Sequence, residues 1–363
     1  MHHADIPPGA VPPGVSSGPW YRELNRYHWF VLAVCALGWL FDTMDQQLFV
    51  LVRQPAIAEL LDLAPGHDTV RDHIGYATSI FMIGWATGGL VFGWLGDRIG
   101  RARAMVLTIL MYSMFTGLSA LSVTWIDFAV YRFLTGMGVG GEFAAGVSLV
   151  AEVMPQRARP YALSLLQALS TVGNVMALGV FYLVFSLAPE QETTVVSAWR
   201  IVFLVGTLPA LLALYIRRRL KEPERWQQAR QAADELHRRL GDISEMFGDR
   251  RWRRHTIVGV LLAASGVTAL WGIIFWIPEL VRSFVPEAEQ KHYVTMAMLM
   301  LNVGAFFGIY GFSVLSGVVG RRPAFAVAFL LAFASTVAVF GFMSRTAQIW
   351  WMVPLLGFST LMI

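Results

Sequence analysis

Within one long apolar stretch the chain carries Phe41-Asp42-Thr43-Met44-Asp45-Gln46-Gln47. Ionisable groups embedded in apolar sequence are costly and tend to face a cavity or a partner. Asp42 and Asp45 are three apart, so on a helix they share one face. Two carboxyl groups held close together in a poorly solvated site are suited to taking up and releasing a proton. A structural ion pair would need only one of them, so the pair points to proton handling. Arg132 is the natural partner. It lies about two turns inside another apolar stretch, Ala129-Val-Tyr131-Arg132-Phe-Leu-Thr135-Gly136, where a guanidinium must find a carboxylate or water. If the two stretches pack together, Asp42 or Asp45 can meet Arg132. Protonating the aspartate then weakens that pair, and proton binding becomes linked to helix geometry.

The Arg132 stretch continues Gly136-Met-Gly138-Val-Gly140-Gly141-Glu142-Phe-Ala144-Ala145-Gly146. Its glycines let helices approach closely, and packing accounts for them. Glu142 lies near the middle of the stretch and reads as a proton site, a solute ligand or a neutral hydrogen-bonding acid. Other polar residues suit the lining of a solute cavity. These are Gln46, Gln167 and Asn174 (the last two seven apart, on one helical face), Trp271 and Asn302. Helix–helix hydrogen bonding or interfacial anchoring explains any one of them equally well. A third constellation ends an apolar stretch with Gly93-Trp-Leu95-Gly96-Asp97-Arg98-Ile-Gly100-Arg101, and Glu152 lies at a depth similar to Arg101. Gly93, Asp97, Arg98, Gly100, Arg101 and Glu152 together read as a conformational lock, closed in one state and released in another.

These residues need long apolar elements to hold them. Of 363 residues, 56% are hydrophobic and 14% charged, against about 25% charged in soluble domains. An all-α polytopic membrane protein is expected. The net charge of +4 does not point to nucleic acid, because the basic excess sits in loops and no aromatic-basic motif accompanies it. Cys35 is the single cysteine, so no internal disulfide forms. His2 and His3 lie in a Pro- and Gly-rich tail and make no metal site. No nucleophile–base set or phosphate loop is present, so no enzyme activity and no cofactor are expected beyond the proton as coupling ion.

Spans of about 20 apolar residues fall near 28–52, 74–96, 103–124, 127–151, 161–187, 198–217, 256–280, 294–318 and 323–343, with a tenth starting near 347. The domains expected are a disordered tail (1–26), a six-helix bundle (27–217), a cytoplasmic linker (218–254) and an incomplete second bundle (255–363). Arg98, Arg101, Arg103, Arg157, Arg159, Arg217, Arg218, Arg219, Lys221, Arg321 and Arg322 follow the even-numbered spans. Glu59, Asp62, Asp68, Asp72, Glu190 and Glu192 lie in opposite loops. By the positive-inside rule the even exits and the N-terminus are cytoplasmic.

The pattern Gly84-x-x-x-Gly88 followed by Gly93 through Arg101 recurs, about 220 residues on, as Gly304-x-x-x-Gly308 followed by Ser313 through Arg321. A membrane chain made of two copies of one bundle implies a substrate path between them. The same repeat implies about 70 residues beyond Ile363, truncated here within a tenth helix. The second copy has Gly317 and Val318 where Asp97 and Arg98 stand, so the lock is one-sided.

The Gly93–Arg101 turn resembles the cytoplasmic loop signature of the major facilitator superfamily. Arg132 through Glu142, then Glu152-x-x-Pro155-x-x-x-Arg159, resembles the fourth-span signature of its sugar-porter and metabolite:proton symporter branches. Trp199-Arg200, Gly206-x-x-Pro209-Ala210 and Lys221-Glu222-Pro223-Glu224-Arg225-Trp226 resemble the end of the sixth helix there. The resemblance implies two six-helix bundles, alternating access, proton coupling through Asp42, Asp45 and Arg132, and solute contact by Gln167. The paired acids favour the organic-acid symporters. The expected function is a proton-coupled symporter of a small organic solute, chiefly a carboxylate, in the bacterial inner membrane, working as a monomer in the lipid bilayer. Arg132 is the one deep arginine this reading finds. Were it fully engaged by an aspartate, a sugar or polyol porter would become the better reading. A truncated non-transporting fragment is the remaining alternative.

Overall fold

The structure, a computed structural model, describes residues 20–187, 197–209, 220–235 and 247–360. The expected tail up to residue 19, the end of the sixth span and part of the linker lie outside these residues. The described residues form helices and connecting turns only. They are α1 (Arg26–Leu61), α2 (Asp68–Ile99), α3 (Arg101–Ser119), α4 (Trp125–Val153), α5 (Arg159–Leu187), α6 (Ala198–Val205), α7 (Glu224–Glu235), α8 (Arg250–Ile274), α9 (Ile277–Arg282), α10 (Glu287–Val319), α11 (Arg321–Phe342) and α12 (Thr346–Thr360). Seven of them are long and apolar enough to cross a bilayer.

Local sequence sets the ends. Asn25 caps α1, its side chain accepting from the His28 N–H while the His28 ring accepts from the Asn25 N–H. Thr124 and Asp127 make the same reciprocal cap on α4. Each satisfies amide donors that a helix start otherwise leaves unpaired. The turn between α2 and α3 is closed by Gly100 at φ 110°, and its repeat between α10 and α11 by Gly320 at φ 85°. Backbone of that shape disfavours any side chain. No side chain at Gly100 caps α3. Glu222, more than a hundred residues away, does so by accepting from the N–H groups of Ala102 and Arg103, each at 3.1 Å. The segment before α7 is thereby fastened to the Arg101 end of the first half.

The repeat seen in the sequence is a repeat of packing. Gly84 and Gly88 of α2 lie against the backbone carbonyls of Phe133 and Met137 on α4. Gly136 and Gly140 of α4 meet the carbonyls of Phe81 and Trp85 in return. In the second half, Gly304 and Gly308 of α10 meet the carbonyls of Pro354 and Phe358 on α12, and Gly357 meets that of Leu301. Without a Cβ, backbones can touch, and close van der Waals packing of this kind drives helix association in lipid.

The distribution of polarity is that of a membrane protein. Leu90, Leu121, Leu330 and Phe333 are exposed on the outside. Asp42, Asp45, Arg53 and Arg132 are each 0% exposed. Only an environment that is apolar outside and locally polar inside favours that inversion.

The seventh expected span is interrupted. The span foreseen at 256–280 is broken, α8 ending at Ile274 and α9 beginning at Ile277. Pro278 stands in the first turn of α9. It has no N–H to give Ile274, and its ring crowds that carbonyl, which favours a break at this point.

Candidate functional site

The first-span acids face two different partners. α1 packs against α4, α5 and α6. Asp45 points toward α3 and α4, where its Oδ1 accepts from the Thr116 hydroxyl at 2.8 Å. Its Oδ2 lies 3.8 Å from Nη1 of Arg132, with both side chains fully buried. The rest of the guanidinium is closely held. Nε and Nη2 donate to Ser119 Oγ at 3.1 and 2.8 Å, and Nη2 also donates to Thr135 Oγ1 at 3.0 Å. The Phe203 ring lies 4.7 Å from its centre. The two atoms facing across the pair, Asp45 Oδ2 and Arg132 Nη1, have no hydrogen-bond partner. At 3.8 Å the pair is an electrostatic contact rather than a hydrogen bond. Arg132 is therefore anchored by hydroxyls and rings while its charge is balanced by one loosely held carboxylate.

Asp42 does not reach Arg132. Its carboxyl adjoins that of Glu142 on α4, with the Tyr112 hydroxyl of α3 beside it. Glu142 fits there because Gly38 of α1 has no side chain; a Cβ at Gly38 would strike the Glu142 carboxyl. Neither Asp42 oxygen, nor Oε1 of Glu142, has a hydrogen-bond partner. By sequence, Asp42 or Asp45 pairs with Arg132 and Glu142 stands as a separate acid. The structure resolves them into Asp45–Arg132 and Asp42–Glu142, one helical turn apart along α1.

Asn174, Asn302 and Trp271 lie where the halves meet. Asn174 of α5 donates to Asn302 Oδ1 of α10 at 2.9 Å. Trp271 of α8 packs on Trp85 of α2 with ring centroids 5.3 Å apart. Gln46 is 1% exposed, and neither atom of its amide has a hydrogen-bond partner. Gln167 is half-buried, and its carbonyl accepts from Ser170. Of the residues read as cavity lining, Asn174 and Asn302 are the two brought into direct contact.

Arg132 is not the only deep arginine. Arg53, also 0% exposed, bridges the halves. Its Nε and Nη2 donate to the two carboxylate oxygens of Glu279 on α9, at 3.1 and 2.7 Å. Nη1 donates to Thr78 Oγ1 of α2 at 2.7 Å. Nη2 also donates to the carbonyl of Phe275, left at the end of α8 by the break before Pro278. Reciprocally, Arg282 of α9 donates to the carbonyl of Leu51 at 3.1 Å. That carbonyl lacks its helical partner because Pro55, four residues on, has no N–H. Arg53 was missed because the first span reads as ending at residue 52, whereas α1 runs to Leu61. The usable signal was Arg53 and Glu279, each within three residues of a proline inside or opening an apolar helix.

At the other end, Arg101 Nε donates to Glu152 Oε1 at 3.0 Å, and Arg101 also pairs with Asp97. Trp226 Nε1 donates to the Asp97 carbonyl at 2.8 Å. Arg98 lies outside this cluster, 4.1 Å over the Trp94 ring. Gly93 contributes its carbonyl, which accepts from Arg101 Nη1 at 3.4 Å, and its Cα faces open space. In the second half Val318 is 80% exposed, where Arg98 stands in the first. Arg101→Gln leaves the Asp97 and Glu152 carboxylates without the cation between them. Its uptake rate is expected to fall about tenfold, a barrier increase of roughly 1.4 kcal/mol, with the amount of folded protein unchanged. Uptake at the unmodified rate would remove the cluster from the transport cycle.

Residues 31–363 match the family model of the Major Facilitator Superfamily. A probable 4-methylmuconolactone transporter of Cupriavidus pinatubonensis is 28% identical over 319 residues, covering 88% of this chain and 70% of that protein. The niacin transporter NiaP of Acinetobacter baylyi is 27% identical over 303 residues, covering 76% of this chain and 65% of that protein. Among solved structures, the xylose transporter XylE from E. coli, in a partially occluded inward open conformation, superposes with a TM-score of 0.67 at 16% identity. The superposition covers 93% of this chain and 84% of XylE.

Proposed function

We propose that this chain, which belongs to the Major Facilitator Superfamily, is a proton-coupled symporter of a small organic carboxylate. Family membership makes it a multi-pass membrane transporter and not an enzyme. The observation that carries the coupling is the pair formed by Asp45 and Arg132, fully buried and 3.8 Å apart. A proton on Asp45 cancels the charge that balances Arg132, so helices α1 and α4 hold each other differently in the two protonation states. Asp42 and Glu142 supply an adjacent place for a proton. The basic loops support a reading with the Arg101 end cytoplasmic and the Arg53 end external, in a bacterial inner membrane. The working unit is a single chain, with its solute path between the two halves.

Arg132 is enclosed within the first half, which taken alone favours an uncharged solute. Two observations weigh for the carboxylate. The similar proteins named above are a probable 4-methylmuconolactone transporter and a niacin transporter, and both solutes are carboxylic acids. A second buried arginine, Arg53, sits at the interface of the halves rather than inside one. The test is uptake into right-side-out membrane vesicles, acid outside, of labelled niacin, 4-methylmuconolactone and D-xylose. Accumulation of at least one acid and not of xylose is expected. Accumulation of xylose alone would favour the sugar-porter reading.

A further inference from the structure

We propose that Arg53 and Thr78 form the outward-facing binding subsite for the solute's carboxylate, and that Glu279 occupies this subsite as a built-in substitute whenever the external side is shut. The inference rests on the carboxylate reading and the orientation given above.

The geometry is that of a carboxylate-recognition site already filled. A planar guanidinium held against both oxygens of one carboxylate is the strongest and most directional way proteins bind that group. Arg53 makes this two-point contact with Glu279, at 3.1 and 2.7 Å. Its partners divide cleanly between the halves. Thr78 belongs to α2, in the same half as Arg53 itself. Glu279, the Phe275 carbonyl and the Trp276 ring, 5.1 Å from the guanidinium centre, all belong to the α8–α9 region of the other half.

Moving the halves apart removes all three together and leaves Arg53 with Thr78. Parting the halves exchanges this two-point contact for water, and a solute anion that restores it binds the open state in preference to an uncharged one. A solute carboxylate can take the place of Glu279, oxygen for oxygen, with the Thr78 hydroxyl alongside.

The approach exists. A cavity of about 510 Å³ lined by Gln54, Arg71, Trp276, Glu279, Arg282 and Gln290 reaches Glu279. Glu279 is 19% exposed along this route, while Arg53 behind it is fully buried. Arg282, the neighbouring cation, pairs with Glu279 at 3.5 Å and with the Leu51 carbonyl. When the halves part it stays with Glu279, so Glu279 keeps a cation in the open state and need not follow Arg53. An uncharged solute gains nothing from this exchange, so the subsite selects for anions while it opens.

The experiment uses Ile74→Cys as a reporter, a residue 1% exposed at the base of the cavity. The full chain in right-side-out vesicles is labelled with an impermeant thiol reagent, and the chain without the reporter serves as blank. Ile109→Cys, 0% exposed inside the first half, reports any general loosening. Glu279→Gln is expected to raise labelling at position 74 by about tenfold, leaving position 109 unlabelled, and to lower the external KM for whichever acid is taken up. Arg53→Lys keeps the charge but loses the two-point contact, and is expected to raise that KM by about tenfold; each factor corresponds to about 1.4 kcal/mol. Niacin is expected to speed labelling at position 74 in the native chain, and its uncharged amide to leave the rate unchanged.

Labelling that rises equally at 74 and 109, or a KM unmoved by Arg53→Lys, would overturn the subsite. If neither acid enters native vesicles, the carboxylate reading fails and takes the subsite with it. The reporter still decides separately whether Arg53 and Glu279 hold the external side shut.

Discussion

Asp45→Asn is expected to bring solute accumulation down to the outside concentration while leaving exchange of solute for solute in place. A pH difference of two units is worth about 2.7 kcal/mol per proton. A one-proton symporter can use it to hold a concentration ratio of about 100. The asparagine side chain is the right size and still accepts from Thr116, but it carries no titrating proton and no charge. Arg132 would then face the same neutral partner in every step of the cycle. Removing one partner of a buried pair also costs stability, about 3–5 kcal/mol in typical cases. Here the cost is cushioned by the Ser119 and Thr135 hydroxyls that already hold the guanidinium. Exchange is the internal control for that cost, because an unfolded transporter exchanges nothing. Normal accumulation by the Asp45→Asn chain would remove Asp45 from the coupling.

Gly88→Leu is expected to abolish folded protein in the membrane, whereas Gly179→Leu is tolerated. Both are glycines of long helices and both substitutions are the same. A Cβ on Gly88 would collide with the carbonyl, carbon and Cα of Met137 on α4, all backbone atoms that cannot turn aside. Around Gly179, on α5, nothing lies within 4 Å of that position. Overpacking a tight seam costs about 1–3 kcal/mol even where side chains can give way. This seam offers only backbone, and Gly84, Gly136 and Gly140 would have to separate with it. The measurement is the monodisperse fraction after detergent extraction. The repeat extends the expectation to Gly308→Leu, which meets Phe358 in the same way. Equal yields for Gly88→Leu and Gly179→Leu would mean that the small-residue seam does not hold the half together.

The contrast between these two sites shows what the sequence could carry. Helix-scale features are readable because their physics is periodic. Runs of apolar residues, glycines four apart and a Gly-Arg turn state their consequences locally, and the paired halves follow from seeing the pattern twice. The pairing of particular charges depends on which faces meet, and spacing does not contain that. Asp42 and Asp45 share a face by sequence, yet a turn of helix is enough to send one toward Glu142 and the other toward Arg132. The greater miss was Arg53. Its role arises from two broken hydrogen-bond ladders, at Pro55 and Pro278, on helices more than two hundred residues apart. Beside each break a carbonyl, Phe275 in one half and Leu51 in the other, accepts from an arginine of the opposite half. A proline reads as a local defect; only the assembled interface turns it into a binding partner.

Proton-coupled symport requires that proton and solute move together. In right-side-out vesicles with no imposed gradient, adding the transported acid should make the weakly buffered medium outside more alkaline as protons enter with it. The Asp45→Asn chain should give no such change while still exchanging solute. Uptake of solute by the native chain with the external pH unmoved would contradict proton-coupled symport and leave the Asp45–Arg132 pair a structural feature of the first half.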